Sequence, residues 1–255
     1  MNFRLARPAI LIDLNRVPGL RGLARAADGG LVAGAMTRHS DFEFSPLARE
    51  LLPVAHAAMP AIAHRAIRNR GTLGGSLAHA DPAADWPALC LACDAQMTVR
   101  SRSGARTVAA RGFARGLFET ALRPGEMLTE VAFPAWERAR RWGLQKMTRR
   151  QGDFAIVGVV VVAAADGEGR STGLRVVVYG AAECAQLVPA AAEVLEGRPP
   201  TGARIDAAAR AAAGAVPTRS DLHASSAYRS ELVQTLVRRA LLQAFPEAAV
   251  RAAAA

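Results

Sequence analysis

Apolar positions along the chain fall into two regimes: short runs cut by turn residues as far as Phe133, and longer valine or alanine runs from Phe154 onward. Ala9-Ile10-Leu11-Ile12-Asp13-Leu14 is a short apolar run suited to a buried strand, closed by Pro18-Gly19. Asp28-Gly29-Gly30 reads as a hairpin turn with Leu31 to Thr37 as the returning strand. Ser45-Pro46 supplies an N-cap and a first helical residue for a helix through Leu47, Leu51, Leu52 and Val54, and Pro60 sets off a second short helix at 61–66. Asp81-Pro82 repeats that pattern and predicts a helix running through Leu89 to Cys93. Short strands are expected at 96–99, 107–109 and 127–133, the last behind the turn Arg123-Pro124-Gly125.

Between Pro134 and Arg141 polarity rises and periodicity fades, which places a domain boundary there and divides the chain into 1–136 and 140–250. Beyond it, Phe154 to Ala164 and Leu174 to Tyr179 are valine-rich strands joined by Asp166-Gly167-Glu168-Gly169-Arg170, an antiparallel hairpin. Alanine-rich helices follow at 189–196 and 204–214. In the last helix Leu232, Val233, Leu236, Val237, Ala240 and Leu241 form one apolar stripe. The tail from Ala248 is of low complexity and is expected to fray.

The densest chemistry lies at Arg68-Asn69-Arg70-Gly71-Thr72-Leu73-Gly74-Gly75-Ser76, which combines three glycines, two hydroxyls and a basic pair, with Asp81 and Asp85 downstream. Glycines at 71, 74 and 75 can take positive φ and let successive backbone N–H groups converge on an anion, with the Thr72 and Ser76 hydroxyls as further donors. The same glycines are equally consistent with a tight connection. The spacing is neither G-x-x-x-x-G-K-[ST] nor G-x-G-x-x-G, so neither a P-loop nor a Rossmann turn is indicated.

Composition narrows the setting. The chain has 255 residues, 51% of them hydrophobic and 21% charged, as expected of an ordinary globular protein with one large or two modest domains. A net charge of +10 raises nucleic acid as a partner, but the basic residues are arginines spread along the chain without aromatic interleaving, and no nucleic-acid partner is expected. Lys146 is the one lysine. No run approaches the roughly 20 apolar residues that span a bilayer, and the N-terminal residues show no signal-peptide pattern, so a cytoplasmic location is the expectation. Three cysteines argue against a disulfide framework; Cys90 and Cys93 read as buried small hydrophobes rather than a metal or redox pair.

Four stretches together resemble the FAD subunits of the xanthine oxidase family, particularly the medium chain of aerobic carbon monoxide dehydrogenase. They are Ile67 to Leu77 with Asp81-Pro82, Leu31 to His39, Lys146 to Val157 (Lys-x-x-Arg-Arg-x-Gly-Asp-Phe-Ala-Ile-Val) and Asp221 to Arg239 (Asp-x-His-Ala-Ser-x-Ala-Tyr-Arg through Arg-Arg). They follow the family order across nearly the whole chain. The resemblance implies an α+β fold class: the later part of a PCMH-type FAD-binding domain, a mixed or antiparallel sheet with flanking helices, followed by a carbon monoxide dehydrogenase flavoprotein C-terminal domain of antiparallel sheet packed on helices. It also implies that the chain lacks the family's N-terminal segment, whose first Gly-Gly loop of the form Ala-Gly-Gly-x-Ser wraps the other side of the pyrophosphate.

By resemblance, Thr72, Leu73, Gly74, Gly75 and Ser76 cradle the FAD pyrophosphate while Asn69 and Arg70 brace the loop. Asp85 either accepts hydrogen bonds from sugar or ribityl hydroxyls or serves as a first-turn acid favouring the helix dipole. Leu128 packs near the flavin ring, and Lys146 lies close to it, where a cation favours reduced flavin. Arg149, Arg150 and Asp153 are expected to form an ion-pair network between the domains. No residue is assigned as catalytic or metal-binding. The implied partners are a large molybdenum subunit and a small subunit with 2Fe-2S clusters, assembled as a dimer of heterotrimers, with peripheral contact to a membrane acceptor as one option. The molybdenum cofactor and the clusters belong to those partners. The chain would pass electrons through FAD to quinone, NAD or oxygen; the alternative is a scaffold that docks to the same partners without catalysis.

Overall fold

The computed structural model describes residues 8–137 and 139–248. The residues following Ala248, where fraying is expected, lie outside the described residues.

Strands β1 (Leu23–Arg25) and β2 (Leu31–Gly34) form the expected hairpin, with Leu23 opposite Ala33 and the turn closed by the Gly30 N–H on Asp28 Oδ1 at 2.9 Å. β2 stops at Gly34, earlier than expected, because Met36 N–H turns to Leu20 O and Thr37 N–H closes a turn on Gly34 O. The run at 9–14 is not a strand. Ile10, Leu11 and Ile12 are 77%, 67% and 78% exposed. A strand needs a partner edge and a covering face, and among the described residues nothing supplies either to this run.

Helices α1 (His39–Phe44), α2 (Pro46–Leu51) and α3 (Pro53–Ala58) follow. Ser45 caps α2 as expected, its Oγ accepting from Ala48 N–H at 3.1 Å. The single helix expected through Val54 is broken at Pro53, which has no N–H and cannot continue a helix. The second short helix is α4 (Arg65–Arg68), displaced from 61–66 by a 3₁₀ turn at Met59–Ala61 and a left-handed Ala63. Next come α5 (Leu73–His79) and α6 (Asp85–Ala92). The helix expected at Asp81-Pro82 therefore starts later. Asp81 Oδ1 accepts from Ala83 N–H at 2.8 Å, so the side chain makes a turn and α6 opens on Asp85.

Strands β3 (Gln96–Ser101) and β4 (Gly104–Ala109), the short pair β5 (Ala114–Gly116) and β6 (Glu119–Thr120), and β7 (Met127–Phe133) complete this half. The five-stranded antiparallel sheet has the order β1-β2-β7-β3-β4.

A second antiparallel sheet, in the order β11-β10-β9-β8, is built from β8 (Arg140–Met147), β9 (Val157–Ala165), β10 (Ser171–Tyr179) and β11 (Gln186–Leu187). It is followed by α7 (Pro189–Leu195), α8 (Gly202–Ala215) and α9 (Ser226–Ala244). β8 had no counterpart in the sequence pattern, since Arg140, Arg141, Gln145 and Lys146 interrupt its apolar residues. β9 is buried on both faces, which explains its unbroken valine run. Val157, Val159 and Val161 join a core with α8 and α9, whereas Val160 and Val162 join the core that contains α3, α6 and the first sheet. The same period of two governs β8: Trp142 and Leu144 pack on the first core, while Gly143 abuts Ala240 of α9. Lys146 shares the parity of Trp142 and Leu144, so it projects toward the first half of the chain. No helix among the described residues is long and apolar enough to cross a membrane.

Candidate functional site

Two stretches prominent in the sequence are hydrogen-bonded to each other. His39 N–H donates to Gly71 O at 3.1 Å, Leu73 N–H to Thr37 O at 3.0 Å and Gly74 N–H to Ala35 O at 2.7 Å. Thr72 caps α5, its Oγ1 accepting from Gly75 N–H at 3.1 Å, and Ser76 N–H donates to Thr72 O. Gly71, Gly74 and Gly75 are not in the left-handed region, which corrects the expected loop of positive φ. Glycine is needed here for close approach. A Cβ on Gly74 would stand 2.5 Å from the Ala35 methyl carbon, and one on Gly71 would stand 2.7 Å from His39 Nε2. One on Gly75 would meet only Thr72 Oγ1, at 2.7 Å, because this glycine borders a cavity. The expected convergence of amides on an anion is corrected too, since the N–H groups from Leu73 to Ser76 are all engaged within the chain. The donors left are the hydroxyls of Thr72 and Ser76.

The cavity has a volume of about 470 Å³ and lies where the two halves of the chain meet. Of the residues expected to hold the cofactor, Arg70, Thr72, Gly75, Ser76, Asp85 and Lys146 line it. Leu73 and Gly74 are buried behind it. Asn69 is the C-cap of α4 and borders a separate surface depression with Arg65 and Asp41. Leu128 is buried in the core of the first half and is not among the cavity-lining residues. The ion pair of Arg149 with Asp153, at 3.7 Å, is local within one loop and does not form the expected network between the two halves.

Lys146 and Asp85 meet on the cavity wall. Lys146 Nζ donates to Asp85 Oδ2 at 3.0 Å and to Ala61 O at 3.1 Å, and both side chains are more than nine-tenths buried. Asp85 Oδ1 accepts from the Tyr179 hydroxyl at 2.7 Å. Tyr179 is fully buried, and burial together with the Asp85 charge pushes its phenol well above the usual range, keeping it a neutral donor. Sequence reasoning passed over Tyr179. The available signal was one of only two tyrosines, closing a valine-rich strand.

A second buried pair lies behind the Gly71 turn. Trp86 Nε1–H donates to His39 Nδ1 at 2.9 Å, so the neutral imidazole carries its proton on Nε2. Burial, reinforced by Arg68 and Arg38, lowers His39 to about 4. Arg68 forks onto both oxygens of Glu43 at 2.9 and 3.2 Å, and Arg38 bonds Arg70 O and Asn15 Oδ1. Cys90 and Cys93 are buried in the core, as expected of small hydrophobes, and burial pushes Cys93 up to about 12.

The lining combines hydroxyls (Thr72, Ser76), cations (Arg38, Arg70, Lys146) and carboxylates (Asp81, Asp85, Asp153) with apolar Met36, Ile62 and Ile67. Together with the gap left by Gly75, this donor set suits a ligand that joins an anionic group to a flat apolar one, and FAD has that chemistry. A family profile described as the FAD binding domain in molybdopterin dehydrogenase matches residues 1–136, and one described as the CO dehydrogenase flavoprotein C-terminal domain matches residues 142–244. The chain belongs to the FAD-binding medium subunits of the molybdenum hydroxylases. This medium subunit is 40% identical to the nicotine 6-hydroxylase medium subunit of Paenarthrobacter nicotinovorans, with 96% of the chain and 85% of the relative aligned. It is 35% identical to the carbon monoxide dehydrogenase medium chain of Hydrogenophaga pseudoflava over 98% of the chain and 86% of that protein. Among solved structures, carbon monoxide dehydrogenase from Hydrogenophaga pseudoflava superposes with a TM-score of 0.93 at 36% identity, covering 96% of this chain and 85% of that one. Quinoline 2-oxidoreductase from Pseudomonas putida 86 gives a TM-score of 0.91 at 34% identity, covering 97% and 85%. The medium subunit is thus an oxidoreductase-type subunit with the α+β architecture of its relatives.

Proposed function

We propose that this medium subunit holds FAD in the cavity where its two halves meet and serves as the electron outlet of a molybdenum hydroxylase. Bound FAD would supply the redox chemistry, taking electrons from 2Fe-2S clusters of a small partner subunit and delivering them to an external acceptor. The observation that carries the reading is the juxtaposition, on one cavity, of the Thr72 and Ser76 hydroxyls with the buried Lys146–Asp85 pair. Thr72 and Ser76 donate to phosphate oxygens, while Arg38 and Arg70 offset the phosphate charge. Lys146 spends two of its three N–H donors on Asp85 and Ala61, which leaves one for a ligand in the cavity it lines. Asp85 compensates the lysine charge, its two oxygens accepting from Lys146 and from the Tyr179 hydroxyl. Residues 1–136 form the FAD-holding unit, and 140–250 bring Lys146 and the surfaces for the large molybdenum and small iron–sulfur subunits. The assembly is a cytoplasmic dimer of heterotrimers.

One observation favours the scaffold reading: the amides at the start of α5 are all engaged within the chain, which leaves few donors for a pyrophosphate. Titrating FAD into the full 255-residue chain and following flavin fluorescence decides between the two. Saturable quenching at one FAD per chain supports the electron-outlet reading. No quenching, in a chain that still assembles with its partner subunits, establishes the scaffold.

A further inference from the structure

Asp85 and Lys146 are held from behind by a residue that does not line the cavity. Across the second sheet, Lys146 of β8 stands opposite Gly158 of β9, which in turn stands opposite Tyr179 of β10. All three positions are on the face toward the first half of the chain. Gly158 leaves room for the Tyr179 ring: a Cβ at 158 would collide with Tyr179 Cζ and Cε1. The phenol therefore lies flat across the row, and its hydroxyl reaches Asp85 at the first residue of α6, 94 positions earlier in the chain. The strand end is fixed as well, since Gly180 N–H donates to Pro82 O at 2.8 Å.

We propose that Tyr179 is a positioning residue for the Lys146 ammonium: its hydroxyl fixes the Asp85 carboxylate, and the other carboxylate oxygen holds Lys146 Nζ at the cavity wall. A carboxylate with one oxygen free in the core would rotate about its terminal bond and share the lysine in more than one geometry. Donation from Tyr179 at 2.7 Å selects one rotamer of Asp85. The high pKa of the buried phenol keeps the proton on Tyr179. The consequence for a ligand is a lysine offered as a directed hydrogen-bond donor with its charge compensated, in the way a supporting layer of hydrogen bonds locks a binding group. The link from Lys146 to FAD rests on the function proposed above; the link from Tyr179 to Lys146 does not.

Because Lys146 is the one lysine in the sequence, a chain labelled with ¹³C-lysine gives a single side-chain Cε signal that reports on this ammonium directly. Tyr179→Phe keeps the ring over Gly158 and removes only the donor. The Lys146 signal is expected to move in the variant while the amide spectrum stays folded, and the FAD dissociation constant is expected to rise about tenfold, as for one lost charge-assisted hydrogen bond. An unmoved Lys146 signal overturns the proposal whatever FAD does. A moved signal in a chain whose Lys146 resonance ignores added FAD upholds the positioning role and removes the FAD reading. Should Tyr179→Phe not fold, 3-fluorotyrosine in place of both tyrosines makes the phenol a stronger donor without changing its shape. A Lys146 signal identical to wild type in that protein likewise overturns the proposal.

Discussion

The Tyr179 ring lies directly on the bare Cα of Gly158, one strand away, and no side chain larger than hydrogen fits between them. β9 is otherwise valine and alanine, so this glycine interrupts a strand at a cost in propensity that the Tyr179–Asp85 hydrogen bond offsets. Gly158→Ala is expected to destabilise the chain by about 1–3 kcal/mol through overpacking alone. It should also displace the hydroxyl from Asp85. Urea unfolding measures the first effect and the single-lysine signal the second; a variant as stable as wild type would mean that the ring can move without loss.

Gly74 and Gly75 are neighbours in α5 with opposite expected behaviour. Gly74→Ala drives a methyl group into Ala35 and should cost about 1–3 kcal/mol of stability. Gly75→Ala gains about 1 kcal/mol of helix propensity, which offsets disturbance of the Thr72 cap, and it projects a methyl group toward the cavity. Its stability should therefore stay within about 1 kcal/mol of wild type while FAD affinity falls. Thermal melts beside FAD titrations of both variants separate packing from binding. Equal loss of stability in the two would show that both glycines serve packing.

What could be read from the sequence follows the range over which each feature is decided. β7, β10 and α9 were legible because their burial pattern is local, whereas the Thr72 to Ser76 stretch stood out by its residue types but read as a loop where the chain begins helix α5. β8 escaped because an alternating strand of arginine, glutamine and lysine looks like a solvated linker until the sheet it joins is known. The start of α6 was misplaced because Asp81 can cap a helix or close its own turn, and only the position of Asp85 against Lys146 settles which. The Tyr179–Asp85 and Trp86–His39 bonds, at separations of 94 and 47 residues, leave no trace in any local window.

Removing one member of the Lys146–Asp85 pair should be far costlier than removing both. Lys146→Met leaves a buried carboxylate with Tyr179 as its one side-chain donor, a loss of about 3–5 kcal/mol. Asp85→Asn strands the ammonium in the same way. The double variant, neutral throughout, should recover much of that loss, giving a coupling energy well above the roughly 0.2–1 kcal/mol of exposed pairs. Chemical denaturation of the four proteins closes the cycle. Additive losses would show that the pair is not coupled. FAD binding should be weakened in the double variant as well as in Lys146→Met, because neither retains the lysine donor.

His39 gives the fold an acid-sensitive point. Its Nδ1 accepts from Trp86, so protonation on that nitrogen breaks a buried hydrogen bond and places a cation beside Arg68 and Arg38. Its pKa falls from 6.5 in the unfolded chain to about 4 in the fold. The unfolded state therefore binds the extra proton first, and the stabilisation is complete above 6.5 and lost as pH falls toward 4. Displacement of this size corresponds to about 3 kcal/mol at most, since each unit of pKa is worth about 1.4 kcal/mol. His39→Gln keeps an acceptor for Trp86 and removes the titration. Carboxylates titrate over the same range in both proteins, so the quantity to measure is the difference in unfolding free energy between wild type and variant from pH 7 to pH 4. That difference should shift by a few kcal/mol in favour of the variant as the pH drops; a difference that does not vary with pH would show that His39 titrates normally.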